Sequence, residues 1–198
     1  MRILFLGGIQ SSSLSEWLQL QGEEILHIEE KFDLDFVKGF APDIIISYNY
    51  KYILPSEIIQ YPEHGCINLH VSLLPWNRGA YPNVWSFIED TPKGVTAHYI
   101  DEGIDTGDII IQKEVFIDEN KETLKSSYNI LHREILELFE ENWGEIKSDN
   151  LIPKKQKGKG SIHFKRDYSQ FEPFIKEKGW DTTIKYLKKE CGKHRFIK

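Results

Sequence analysis

The sequence predicts an α/β fold, with a doubly wound, mostly parallel sheet that carries helices on both faces. Residues 43–48 form an almost uninterrupted apolar run, typical of a strand buried on both sides in a parallel sheet. Strand-like segments alternate with helix-like ones, which favours α/β units. With 198 residues, 40% of them hydrophobic, the chain is long enough to bury one sizeable core.

The elements follow in order along the chain. Residues 2–6 form a short apolar strand that ends at Gly7-Gly8, and Ser11 to Ser13 then cap a helix carrying Leu14, Trp17 and Leu18. Later elements are a strand at 24–28, a helix at 34–40 stopped by Pro42, a strand at 43–48, a short helix after Pro55, strands at 66–70, 94–99 and 109–116, and an amphipathic helix at 123–143. This order predicts a Rossmann-like sheet.

Charge is distributed unevenly. Residues 151–198 hold 14 basic and 5 acidic residues, whereas the preceding 150 hold 11 basic and 26 acidic ones. We therefore expect a catalytic domain at 1–150 and a basic, aromatic-containing C-terminal extension at 151–198. The aromatic residues of the extension are expected to pack on the body or across a homodimer interface. The acidic body makes nucleic acid an unlikely partner.

Several classes of protein are disfavoured by composition. No run approaches the roughly 18 consecutive apolar residues of a membrane span, and residues 3–6 are too short for a signal peptide, so a cytoplasmic location is expected. The two cysteines, Cys66 and Cys191, are far apart, which predicts neither a disulfide framework nor a thiolate metal site. No histidine spacing supports a metal centre, and none is expected.

Polar residues at strand ends are the best candidates for chemistry, because ligands of open α/β sheets bind at the carboxyl ends of the strands. Asn68 and His70 alternate along one strand and share a face, and Asp105 lies in a Gly-rich turn between two later strands. An amide, an imidazole and a carboxylate suit attack by an amine on a carbonyl carbon. A core histidine and a structural Asx-turn are the alternatives for His70 and Asp105.

A family resemblance favours the catalytic interpretation. Residues 68–75 (Asn-Leu-His-Val-Ser-Leu-Leu-Pro), followed by Arg78-Gly79, residues 94–99 and residues 105–110, resemble the folate-dependent formyltransferases, which act on glycinamide ribonucleotide, methionyl-tRNA or sugar nucleotides. The resemblance places the family's catalytic residues at Asn68, His70 and Asp105 and implies a formyltransferase-like fold. The family's usual proline after the histidine is Val71 here, which leaves the three functional groups in place.

The resemblance also implies 10-formyltetrahydrofolate as co-substrate, with its pterin between residues 48–54 and 101–105. Tyr50, Ile53 and Leu54 would supply the walls, and backbone groups of Leu54, Asp101 and Glu102 would bind the pterin edge. As an alternative, Ile53 and Leu54 begin the core contact of the next helix.

Substrate-binding candidates lie in two further segments. Gly7, Gly8 and Ser11 occupy a strand-to-helix turn, which suits either a phosphate or a structural turn with a serine cap. Arg78 suits bidentate phosphate binding, with an exposed structural arginine as the alternative, and Trp85 is a substrate contact or a core residue.

The acceptor is expected to be a small molecule, the amino group of a nucleotide-linked amino sugar, because Arg-Gly-x-x-Pro-Asn-x-Trp at 78–85 resembles the amino-sugar enzymes. Glycinamide ribonucleotide and methionyl-tRNA remain alternative acceptors. The resemblance implies that methionyl-tRNA enzymes are longer and carry an added C-terminal barrel, which disfavours methionyl-tRNA as the acceptor. A relative that binds folate or nucleotide-sugar without catalysis is a further alternative.

Overall fold

In the computed structural model the described residues are 1–193, and residues 194–198 of the expected extension lie outside them. The strands are β1 (Arg2–Leu6), β2 (Glu24–Ile28), β3 (Ile44–Tyr48), β4 (Cys66–His70), β5 (Arg78–Gly79), β6 (Gly94–Tyr99), β7 (Ile109–Glu114) and β8 (Ile162–His163). The α-helices are α1 (Ser12–Leu20), α2 (Leu34–Phe40), α3 (Ser56–Ile59), α4 (Pro82–Ile88), α5 (Leu124–Lys147), α6 (Glu172–Ile175) and α7 (Ile184–Lys193). Short 3₁₀ helices lie at Ile9–Ser11, Lys165–Phe171 and Gly179–Asp181.

The main sheet has the strand order β2-β1-β3-β4-β6-β7, and β5 pairs with β8 in a separate small sheet. Strand β1 is parallel to β2 and to β3, and β3 is parallel to β4. Backbone bonds from Tyr99 to Asp108 and from Val115 to Lys93 give β6 and β7 the pairing of an antiparallel hairpin. The α/β fold with a mostly parallel sheet, predicted from the sequence, is therefore confirmed.

The chain divides into two compact units. The first comprises residues 1–70, 97–111 and 139–155, and the second comprises residues 71–96, 112–138 and the described residues from 156 onward. The division of function between residues 1–150 and 151–198 stays a prediction.

The sheet of the first unit is covered on both faces. Leu4, Leu6 and Ile45 pack with Val37 of α2 and Ile58 of α3. On the other face, the ring of Phe5 lies 4.9 Å from that of its register partner His27, centroid to centroid. His27 in turn bonds to Ser15 of α1. Since side chains alternate along a strand, α1 and α2 lie on opposite faces, as a doubly wound sheet requires.

Two elements end at least two residues away from their predicted ends. Helix α5 continues to Lys147, beyond the predicted end at 143, because Trp143 and Ile146 are both buried and extend its apolar face. Strand β7 ends at Glu114 rather than at 116. The side chain of Phe116 is 89% exposed, so apolar character alone was misleading at this position.

In the second unit, the C-terminal segment has both buried and exposed aromatic residues, and Phe164 and Tyr186 are 41% and 48% exposed. Tyr168 stacks on Tyr81 at a ring-centroid distance of 4.0 Å, and the buried Phe171 packs edge-on against Trp85. The expectation that aromatic residues of this segment pack on the body is confirmed for Tyr168 and Phe171. Within residues 1–193, every helix is too short or too polar to span a bilayer.

Candidate active site

Strand β4 carries the first two candidate residues. Asn68 is paired with Ser47 in the parallel β3–β4 register. Two residues later, His70 ends the strand with 7% of its surface exposed. Strand alternation places both side chains on one face at the carboxyl end of the sheet, as the sequence predicts.

The turn between β6 and β7 carries Asp105. The side chain of Asp101 shapes this turn, because its Oδ1 accepts hydrogen bonds from the Gly103 amide at 3.0 Å and from Thr106 Oγ1 at 2.6 Å. Asp105 has a φ of 51°, a left-handed conformation that aspartate tolerates better than most residues. A Cβ at Gly107 would collide with the carbonyl of Tyr99, so only glycine allows this turn to close.

The structure brings together the three predicted catalytic residues. Asn68 Nδ2 donates to Asp105 Oδ1 over 3.2 Å. His70 Nδ1 lies 3.6 Å from Asp105 Oδ2, which is ion-pair range but too long for a hydrogen bond. The side chain of Asp105 is 15% exposed. An amide, an imidazole and a carboxylate thus converge in a largely buried setting.

His98, which alternates with Thr96 along β6, is a fourth polar residue at this site. It is 1% exposed, and its Nδ1 lies 2.8 Å from the carbonyl oxygen of Tyr99. A carbonyl oxygen only accepts, so Nδ1 carries the proton. In the neutral ring Nε2 then accepts from Asn68 Nδ2 at 3.2 Å. The sequence signal was its position at the end of a buried strand, two residues after Thr96.

A cavity of about 240 Å³ adjoins these residues within the first unit. All of the predicted pterin-binding residues line it: Tyr50, Ile53, Leu54, Asp101 and Glu102. The other lining residues are Ser47, Lys51, Tyr52, Asn68, His98, Ile100, Gly103, Ile104 and Asp105. The walls combine aromatic, apolar and polar groups, as a pocket for a flat heterocycle requires.

Three residues of the pocket walls, Tyr50, Leu54 and Ile53, differ in how firmly they are held in the fold. The Tyr50 hydroxyl donates to the Glu30 carbonyl at 2.8 Å, and burial raises the pKa of Tyr50 to about 12. Leu54 is 8% exposed and belongs to the core with Leu4 and Ile58. Ile53 is 84% exposed. The alternative of a core contact thus holds for Leu54, which also lines the cavity, but not for Ile53.

The first strand-to-helix turn is held by a hydrogen bond from Ser11. Ser11 is fully buried, and its hydroxyl donates to the Tyr48 carbonyl at 2.8 Å, so it makes no side-chain cap on α1. The predicted serine cap is therefore wrong for Ser11, because the hydroxyl ties the turn to β3 instead. A Cβ at Gly7 would collide with the same carbonyl. Roles of Gly7, Gly8 and Ser11 in substrate binding stay predictions.

Arg78 and Trp85 belong to the second unit. Arg78 donates from Nε and Nη2 to Gln156 Oε1, at 3.0 and 2.6 Å. Trp85 is 6% exposed, and its ring is stacked on His163 with centroids 3.7 Å apart. The indole Nε1 is buried without a hydrogen-bond partner among the described residues. Trp85 is thus a core residue of this unit, and a substrate contact stays a prediction.

Within residues 1–193, no group of three or more His, Cys, Asp or Glu side chains is arranged to hold a metal ion. The cysteines Cys66 and Cys191 are both buried free thiols, and burial raises the pKa of Cys66 to about 12.

Comparison with known proteins gives a consistent family. The formyl transferase domain family matches residues 26–141. The crystal structure of the formyltransferase PseJ from Anoxybacillus kamchatkensis, in complex with UDP-4,6-dideoxy-4-formamido-L-AltNAc and tetrahydrofolate, superposes with a TM-score of 0.88 at 41% identity. The similarity covers 94% of this chain and 97% of that one.

Curated relatives are similar over a shorter segment. The methionyl-tRNA formyltransferase of Thermodesulfovibrio yellowstonii is 42% identical over 125 residues, which is 62% of this chain and 40% of that protein. The methionyl-tRNA formyltransferase of Clostridioides difficile is 50% identical over 92 residues, 46% of this chain and 30% of that protein. The chain therefore spans less than half the length of these relatives.

Proposed function

Because this chain belongs to the formyl transferase family, we propose that it moves a formyl group from 10-formyltetrahydrofolate to the amino group of a nucleotide-linked amino sugar. The observation that carries this proposal is the similarity to PseJ along 94% of the chain at 41% identity. A formamido sugar and tetrahydrofolate, the two molecules bound to PseJ, are what remains after such a transfer.

In the proposed reaction the amine nitrogen attacks the formyl carbon, the carbon–N10 bond breaks, and tetrahydrofolate leaves after N10 gains a proton. Asn68 donates to the developing oxyanion. Its amide contacts to Asp105 and His98 are both 3.2 Å long, at the weak end of the hydrogen-bond range, so the amide can exchange one of them for a substrate oxygen.

His70 and Asp105 would manage charge and protons. His70, as an imidazolium, adds a second stabilising group for the oxyanion or relays a proton to N10. Asp105 orients His70 and accepts the proton that the amine loses. Catalytic contacts commonly tighten when substrate binds, so the separation of 3.6 Å between His70 Nδ1 and Asp105 Oδ2 is compatible with this role.

The cavity in the first unit would receive the pterin. Tyr50, Ile53 and Leu54 offer apolar and aromatic surface, and the loop from Asp101 to Asp105 offers backbone polar groups. Asn68 and Asp105 line the same cavity, so a pterin held there brings N10 towards the catalytic groups.

A second candidate is formylation of methionyl-tRNA, which is favoured by the identities of 42% and 50% to the two methionyl-tRNA enzymes. It has weaker support because those similarities cover 62% and 46% of this chain, whereas the similarity to PseJ covers 94%.

Direct assay of the acceptor tests both candidates. The purified protein is incubated with 10-formyltetrahydrofolate and either UDP-linked amino sugars or methionyl-tRNA, and products are identified by mass spectrometry. We expect one added formyl group on an amino sugar and none on the tRNA. Formylation of the tRNA alone would replace the proposal with the second candidate. Absence of product from either acceptor, with folate still bound, would indicate a non-catalytic binding relative.

A further inference from the structure

The guanidinium of Arg78 is held along one edge by a neutral side chain. Both Nε and Nη2 donate to the same oxygen, Oε1 of Gln156. A guanidinium carries five N–H donors in a planar fork. The bonds to Gln156 use the Nε edge, so the Nη1–Nη2 edge keeps its donors for a further partner.

The charge of Arg78 is not neutralised within the described part of the chain. The ion pairs found among residues 1–193 give this half-buried guanidinium no carboxylate partner. The segment that supplies Gln156 continues with Lys157 and Lys159, both exposed, which adds positive charge. A full positive charge with one open fork edge is suited to a phosphate group.

Backbone pairing holds Arg78 close to this segment. The Arg78 amide donates to the Ser161 carbonyl at 3.0 Å, and β5 pairs with β8 in the register Arg78 to Ile162. Gly79 has a φ of 84°, and a Cβ there would collide with the carbonyl of His163, so glycine is needed for the two strands to pair. The arginine is therefore presented from a fixed backbone.

We propose that Arg78 and Gln156 form the site for the diphosphate of the nucleotide-linked sugar, with Arg78 as the contacting residue and Gln156 as the positioning residue. This inference rests on the proposed function. A glutamine is suited to positioning because it orients the guanidinium by hydrogen bonds while leaving its charge for the ligand. A carboxylate at 156 would orient it equally well and neutralise it.

That contrast defines the experiment. Binding of UDP is measured by calorimetry, and KM and kcat are measured with a UDP-linked amino sugar, for Gln156→Glu, Gln156→Ala and Arg78→Lys. We expect Gln156→Glu to weaken UDP binding and raise KM by about tenfold or more, with kcat nearly unchanged, because the new carboxylate competes with phosphate. Gln156→Ala and Arg78→Lys should have smaller effects in the same direction.

A matched control separates local from overall charge. Arg166→Gln changes the net charge by the same amount as Gln156→Glu, and the Arg166 side chain is 82% exposed in the same unit. It should leave UDP binding unchanged. If Gln156→Glu binds UDP as tightly as the unmodified protein, Gln156 only anchors Arg78 structurally and the inference is wrong.

UDP binding and formyl transfer, measured together, distinguish failure of the diphosphate site from failure of the proposed reaction. Sugar formylation with a KM that is insensitive to Gln156→Glu overturns the diphosphate site alone. UDP binding that weakens in Gln156→Glu, without formyl transfer to any sugar, supports the site and contradicts the proposed reaction. Failure of the unmodified protein to bind UDP, combined with binding of tRNA, contradicts both.

Discussion

Asn68 and Asp105, which are 37 residues apart, meet through a hydrogen bond of 3.2 Å between the amide nitrogen of one and the carboxylate oxygen of the other. The same nitrogen lies 3.2 Å from His98 Nε2. Both amide hydrogens are therefore directed by protein groups, which sets the amide orientation and leaves its oxygen pointing away from the carboxylate. The amide is thus oriented before substrate arrives, and in the proposed reaction one of these two hydrogen bonds is exchanged for a bond to the oxyanion.

Substitution of the two residues proposed to stabilise the oxyanion should affect turnover more than folate binding. Asn68→Ala and His70→Ala are each expected to lower formyl transfer by at least about a hundredfold, because loss of one such donor commonly costs about 3 kcal/mol in the transition state. Affinity for a folate analogue, measured by calorimetry, should stay within severalfold. Activity of either variant equal to that of the unmodified protein would exclude the proposed mechanism.

The turn that presents Asp105 should not tolerate a side chain at Gly107. Gly107→Ala forces a Cβ against the Tyr99 carbonyl, so we expect lower stability and loss of activity. Gly144→Ala is the matched control. It lies inside α5 with nothing within 4 Å of its added Cβ, and should stabilise the protein by up to about 1 kcal/mol. Thermal unfolding and activity of both variants are measured. A Gly107→Ala variant with unchanged stability and activity would contradict the described turn.

A buried carboxylate in the first unit should contribute to stability. Glu23, whose side chain is 1% exposed, contacts Lys147 Nζ at 2.5 Å and Trp143 Nε1 at 3.2 Å, and also pairs with the Met1 amino group. Glu23→Gln should lower the free energy of unfolding by about 2 kcal/mol, because the largely buried Met1 amino group loses its counter-charge, whereas Lys147, 42% exposed, keeps part of its hydration. Glu24→Gln, at an exposed neighbour paired with Arg2, should cost under about 1 kcal/mol by urea denaturation.

The same carboxylate gives a pH dependence. Burial by itself raises the pKa of Glu23, but bonds from Lys147, the Met1 amino group and Trp143 outweigh it and hold the pKa below its ordinary value. A carboxyl with a lowered pKa in the folded state stabilises the protein above its unfolded-state pKa, and this contribution is lost as pH falls through the folded-state pKa. Between neutral and acidic pH, the free energy of unfolding should therefore fall less in Glu23→Gln than in the unmodified protein.

Binding to tRNA should be weak at physiological salt. Tyr168 and Phe171 of the basic C-terminal segment are buried against Tyr81 and Trp85, so this segment is not a solvated basic arm along its length. Gel-shift titration against initiator tRNA should give only weak, non-specific complexes. A sub-micromolar complex whose affinity falls steeply with salt would favour tRNA as the acceptor, since each neutralised phosphate steepens that salt dependence.

Local patterns were sufficient for most elements. The strand at 24–28 and the helix at 34–40 were predicted with the observed boundaries, and for the helix the reason is that Asp33 caps its start and Pro42 follows its end. The antiparallel end of the sheet and the pairing of β5 with β8 were not predicted. The strands β5 and β8 are two residues each and lie about 80 residues apart, so no periodicity marks them.

That Asn68, His70 and Asp105 come together was predictable from residue type, strand position and family resemblance. The roles of Ser11, His98 and Gln156 were not, because each depends on a partner distant in the chain: the Tyr48 carbonyl, the Asn68 amide and the Arg78 guanidinium. A one-dimensional pattern specifies which face of a strand or helix a side chain occupies. Which hydrogen-bonding group from another element then meets it depends on how the chain packs, and that packing assigned these three side chains their partners.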